Sequence, residues 1–341
     1  MGSLEGLECL EGWVDRVRNV HVGVVGDAAI DKYVEGSTTR MSPDAPVPVV
    51  DVKSKRYYLG ALGLVVQQLL SFGAQVTVAS VVGSDFEGEF FVDKLGDMNL
   101  GLKGVVRVEG FTPQVTRVKS RGQHMLRLEK RYDFSPDQAE KTRSDVLRFV
   151  DGVLERLDAL VLLDYGMGMF QGQNRYLSTE LLKLASKRGV PTVARPSRSG
   201  YEGFSGVTLA KVNLRLACSM VGVADVNQTS VRIVGNKLLN DVRCRALFLP
   251  HVDGTSYLFR SNSPDPVEFA SKLKYHGTSY VGVGSAIMAT MALGAAARLD
   301  DVAVAKLAHL AGSLSALCQP VTFFTVTDLD GALRRDSLDR C

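Results

Sequence analysis

The feature that most limits how this chain can fold is a repeated alternation of short β-branched runs with longer helical patterns. Residues 20–25, 76–82, 159–163, 191–194 and 245–249 are apolar runs of strand length. Residues 62–72, 86–97, 138–157, 177–187, 230–239 and 284–299 carry helical spacing between or after them. Alternating β and α without an internal repeat predicts an α/β fold, a doubly wound and mostly parallel sheet with helices on both faces. Such sheets bind ligands at the carboxyl ends of their strands. A length of 341 residues and a hydrophobic content of 45% suit one large domain or two smaller ones and exclude a disordered chain.

One region breaks the alternation. Residues 32–58 include Met41-Ser42-Pro43-Asp44-Ala45-Pro46-Val47-Pro48, whose prolines oppose both a helix and a central strand. Residues 104–108, 114–119 and 123–129 are strand-like but have no helices between them. Together these segments predict a small antiparallel β lid, drawn from about 32–58 and 104–130. Residues 1–20 read as a helical segment and 328–341 as a charged tail that frays. Asp253 before Gly254 reads as a hairpin turn.

Several functional classes fall away. A formal net charge of +3 leaves no nucleic-acid signature. No apolar run approaches the ~20 residues of a membrane span, and no signal-peptide core is present, so the cytoplasm is expected. Cys9, Cys218, Cys244, Cys318 and Cys341 are scattered without CxxC spacing, which fits a reducing compartment. The five histidines lack paired spacing on a helix, so they predict no metal-ligand set.

The chemistry-bearing stretch is Gly282-Val283-Gly284-Ser285, a glycine turn followed by an apolar helical run. Glycines there let a backbone approach a polyanion closely, with the helix N-terminus facing it. A carboxylate at position 285 could take a proton from a substrate hydroxyl, whereas a serine needs a base of its own at neutral pH. Serine is also a natural N-cap residue, the blander reason for its presence.

The segment Val24-Val25-Gly26-Asp27-Ala28-Ala29-Ile30-Asp31, followed by Arg40-Met41-Ser42-Pro43-Asp44-Ala45-Pro46-Val47-Pro48-Val49, resembles the opening of the PfkB/ribokinase-like carbohydrate kinases. Within that family it is most similar to the kinase domain of the bifunctional heptose-7-phosphate kinase/ADP-heptose synthase group. Their R-x-S-P-E-A-P-V-P-V signature differs here only by Asp44 for Glu. Gly83-Ser84-Asp85, Arg127-Leu128-Glu129 and Leu163-Asp164-Tyr165-Gly166 extend the likeness, which spans roughly residues 21–327. No nucleotidyltransferase domain is expected in the residues that remain.

The resemblance implies a fold, a reaction and a set of departures. In the family, a sugar hydroxyl attacks the γ-phosphoryl group of ATP, with Mg2+, over a G-A-G-D turn whose Asp is the base. Here that Asp is Ser285, at the catalytic position. Gly282, Gly284 and Asn213 match the nucleotide- and phosphate-binding positions, and Asp31, Arg40 and Gly60 the substrate-binding ones. The D-P-K strand end is Arg195-Pro196-Ser197, N-x-x-E is Asn213-Leu214-Arg215-Leu216, and the lysine of D-Y-x-K-G is Met167. Arg121 and Arg127 are candidates for anion contacts. His276 is the nearest histidine before Ser285, and its place around the site does not follow from the sequence.

Two main expectations follow. One is a pseudokinase, a binding or scaffold protein that keeps a nucleotide or sugar phosphate, as a homodimer through the lid or with a protein partner. The other is an active ATP-dependent sugar kinase with a different base. A third, an interaction partner of nucleic acid or of a large assembly, draws only on the weakly basic balance.

Overall fold

The computed structural model describes residues 10–224, 227–270, 281–318 and 321–338. Its strands are β1 (His21–Gly26), β2 (Ala28–Met41), β3 (Pro48–Ala61), β4 (Gln75–Gly83), β5 (Val105–Val108), β6 (Gln114–Ser120), β7 (Gln123–Lys130), β8 (Ala159–Leu163), β9 (Thr192–Arg195), β10 (Leu209–Lys211), β11 (Ala246–Pro250), β12 (Thr255–Arg260) and β13 (Ser263–Ala270). Its helices are α1 (Trp13–Arg16), α2 (Leu62–Ser71), α3 (Phe86–Asp97), α4 (Pro136–Val153), α5 (Leu177–Lys187), α6 (Leu214–Val221), α7 (Gln228–Val242), α8 (Val283–Ala296), α9 (Asp301–Leu317) and α10 (Val326–Leu338).

Nine strands form the main sheet in the order β13-β12-β11-β10-β9-β8-β1-β4-β5. From β11 to β5 the strands run parallel, and β12 and β13 add an antiparallel edge. β1 lies between β4 and β8, with Val24 level with Val78 and Val161. Chain order departs in opposite directions on either side of β1, so the strand ends of β1 and β8 flank a topological switch point. The sheet's two faces carry separate cores, one under α2, α8 and α9 and the other under α4, α5 and α7. α8 is buried from Ser285 to Ala295, which matches its almost uninterrupted run of apolar and small residues.

The second sheet has four strands in the order β3-β2-β6-β7. Its pairings are antiparallel except β2 with β6. The prolines fall where the physics allows: Pro43 and Pro46 in the hairpin loop and Pro48 at the first position of an edge strand. Residues 105–108, expected in the lid, instead form β5 at the edge of the main sheet beside β4. Val106 and Val108 are buried there with Val146 and Val150 of α4. Of residues 328–341, expected as a fraying tail, 328–338 belong to α10, which buries Leu329 and Leu333 in the core. The Trp13 indole, 1% exposed, donates to Asp330 Oδ1 at 2.9 Å and joins α1 to α10. Among the described residues no helix is long and apolar enough to cross a membrane. Asp253 and Gly254 lie in the turn of the β11–β12 hairpin.

Candidate functional site

Three acids stand at the carboxyl edge of the sheet, and each is already committed. Asp27 follows β1 and is fully buried. Its carboxylate accepts the backbone N–H groups of Tyr165, Met167 and Met169, clamping the loop after β8. Burial, then the neighbouring charge of Asp164, pushes its carboxyl up to about 7, against those three bonds. Asp164 follows β8 and accepts from the Gly166 N–H on one oxygen and from the Ser197 N–H and hydroxyl on the other. Burial also raises it, while the Ser197 hydroxyl pulls the other way.

Asp31 lies inside β2. Its Oδ1 takes Arg117 Nη1 of β6 at 2.6 Å, with both side chains nearly out of water. Burial raises its carboxyl and Arg117 opposes the shift. The Arg117 guanidinium also stacks over the Tyr33 ring. A side-chain carbon at Gly60 would lie 3.1 Å from the Asp31 carboxyl carbon, so these two candidate residues meet. Arg40 does not join them. It is exposed, pairs with Asp51 at 3.7 Å, and sits roughly 30 Å further along β2 at about 3.3 Å per residue. Arg121 turns the exposed β6–β7 hairpin, and Arg127 pairs with Glu129 on an exposed strand.

The glycine turn opens α8. Gly282 is the N-cap at φ 98°, a left-handed conformation that a side chain would strain. Its carbonyl accepts the N–H groups of Ser285 and Ala286. The N–H groups of Val283 and Gly284 begin the helix and have no intrahelical acceptor. Ser285 is therefore not the N-cap its residue type suggested. It lies in the first turn, 5% exposed, and Tyr165 faces it. Tyr165 also feels the charges of Arg195, Asp27 and Asp31, and the Arg195 guanidinium stacks over its ring at 4.1 Å. Tyr165 thus bridges the Asp31 side of the edge and the turn.

Next to the turn is a cavity of about 360 Å³. Asn213, Arg215, His251, Val283, Gly284 and Ile287 are among its lining residues, and among the described residues no carboxylate is. Asn213 precedes α6, and its Oδ1 accepts Lys211 Nζ at 2.6 Å. Lys211 ends β10 and is 1% exposed. Burial, then the charge of Arg195, brings its amine down to about 7. A side-chain carbon at Gly284 would stand 3.3 Å from Lys211 Nζ, so the amine faces the turn directly.

The arrangement suits an anion better than a metal ion. Mg2+ in phosphate sites is held through one or two carboxylates besides the phosphates. Here Asp27 and Asp164 spend both oxygens on backbone amides and Ser197, and Asp31 holds Arg117 through Oδ1. Among the described residues no cluster of three His, Cys, Asp or Glu side chains could hold a metal ion. The residues present therefore do not fit a tightly held Mg2+. His276 lies outside the described residues. Lys211, Arg117 and Tyr165 escaped sequence reasoning; the available signal was a lysine closing an apolar run two residues before Asn213.

No protein-family model matches the chain. Curated bacterial proteins named bifunctional protein HldE do match it. The one from Syntrophotalea carbinolica is 27% identical over 333 residues, covering 97% of this chain and 66% of the relative. The one from Desulfatibacillum aliphaticivorans is 29% identical over 295 residues, covering 85% and 58%. This chain thus spans less than two thirds of the length of these relatives. Phosphofructokinase-2 from Escherichia coli, in complex with potassium, superposes with a TM-score of 0.74 at 16% identity, over 94% of this chain and 99% of that one. Ribokinase from Arabidopsis thaliana, complexed with ribose and ATP, does so with a TM-score of 0.70 at 15% identity, over 92% and 99%. Such identities establish the fold alone, and the sequence matches add the kinship. The chain is a ribokinase-fold, carbohydrate-kinase-like protein related to the kinase domain of HldE.

Proposed function

We infer that this protein is a pseudokinase: it holds a nucleotide, ATP or ADP, in the cavity beside the glycine turn and does not transfer its phosphoryl group at kinase rates. The observation that carries this reading is the pairing of a kept cradle with a lost base. Gly282 still sets the turn and the opening amides of α8 remain available, but Ser285 stands where the resemblance places the Asp. Losing a general base costs ~10²–10⁴-fold in rate. Asp31 cannot stand in as a base while Arg117 holds it. Heptose 7-phosphate is the sugar phosphate the HldE kinship favours, and the Asp31–Gly60 corner, with Arg117, is where it would lie. The free Cys218, Cys244 and Cys318 suit a reducing cytoplasm.

The test is a coupled assay of purified protein with ATP, Mg2+ and heptose 7-phosphate, followed by a panel of sugars. Silence across the panel, together with an ATP-induced rise in melting temperature, is the expected result. Turnover within the ~1–100 s⁻¹ of ordinary kinases would sink the reading.

A further inference from the structure

We propose that Lys211 takes the place of a divalent cation at the glycine turn, so that the cavity holds nucleotide phosphates without a metal ion. The proposal rests on the nucleotide reading above and specifies how that site is charged.

Three observations meet at one point. First, Lys211 is almost wholly buried, yet it forms no ion pair with any described residue; it donates to the neutral Oδ1 of Asn213. An ammonium has three donors, so two remain for a ligand. Burying an uncompensated ammonium is costly, and an arriving anion relieves that cost. Second, the amine stands directly behind the cavity wall: it bonds Asn213 and approaches Gly284 so closely that a side-chain carbon there would lie 3.3 Å from Nζ, and both residues line the cavity. The helix opening there favours negative charge. Third, among the described residues the cavity lining includes Asn213, Gly284, Arg215 and His251 and no carboxylate; Asp253 is paired with His251 at 2.8 Å, and the acids of the sheet edge are committed elsewhere. A polyphosphate in this cavity meets cations that belong to the chain itself.

The charge state of Lys211 supplies a second handle. The charge bearing on it is Arg195 of β9; its neighbours Asn213, at the start of α6, and Gly284, on α8, are neutral. Unliganded, the amine titrates near 7, and a bound phosphate would hold the proton on it. ATP binding above neutral pH is then accompanied by proton uptake, and it tightens as pH falls toward 7.

The experiment is calorimetry and thermal denaturation with ATP, in EDTA and in MgCl2, on the wild-type protein, Lys211→Met and Lys211→Gln. Methionine fills the same space without charge, and glutamine keeps a donor toward Asn213. The wild type is expected to bind ATP in EDTA with proton uptake. Both variants are expected to melt at or above the unliganded wild type and to bind roughly 10- to 100-fold more weakly. Binding that appears only with Mg2+ overturns the proposal while leaving the nucleotide reading intact. Undiminished binding by the variants, or variants less stable without ligand, overturns the role of Lys211. Absence of ATP binding in both conditions removes the nucleotide reading and this proposal with it.

Discussion

Gly282 holds its backbone at φ 98°, where an added side chain is strained by roughly 1–2 kcal/mol. Gly282→Ala is therefore expected to lower stability by about that amount and to abolish the ATP-induced melting shift, both readable in one thermal scan. Arg117 and Asp31 obey a different logic. Removing one member of a buried pair strands the other, at about 3–5 kcal/mol. Arg117→Met should show that loss in urea unfolding, and adding Asp31→Asn should recover much of it. A double mutant as unstable as the sum of two independent losses would refute the pairing. At this scale the sequence was partly legible. It exposed Ser285 as the odd residue of its turn, but the preference of serine for N-caps misdirected the local reading, because the residue that bends the chain is Gly282. Lys211 was opaque, since a lysine that closes a short apolar run usually points to water. The approach of Gly284 on α8, with Asn213 beside it, helps enclose it.

The elements show why alternation carried the fold and where it stopped. The runs at β1, β4, β8, β9 and β11 are mostly apolar and buried because helices cover both faces, and they stood out in the sequence. β10 did not, because its three residues give periodicity nothing to act on. β5 shares its strand-like composition with the lid strands, and only its pairing with β4 separates it from them. The lid itself leaves apolar side chains in water. Leu126 and Leu128 of β7 are 53% and 52% exposed, and β7 is an edge strand. Unpaired apolar edges recruit another chain. We propose that two lids pair in a homodimer. Light scattering should give twice the chain mass, and Leu126→Glu with Leu128→Glu should return it to one; a monomeric wild type would exclude the pairing.

Across the whole molecule, two buried groups give stability opposite slopes in pH. The raised carboxyl of Asp27 contributes stability that is complete below its ordinary value near 4 and is lost as pH climbs to about 7. The lowered amine of Lys211 acts in reverse: above about 7 it is neutral when folded but charged when unfolded, so stability grows toward about pH 10. Together they place a shallow minimum of melting temperature near neutrality, and Lys211→Met should flatten its alkaline limb; an unchanged limb would assign that slope to other groups. The same global view returns to the contact between α1 and α10. Trp13 is the sole tryptophan of the chain, sealed from water and tied to Asp330 more than three hundred residues away. Its emission is thus a built-in optical gauge, blue while two sequence-distant segments are docked and red once they part. The moment of undocking can be read with no label attached.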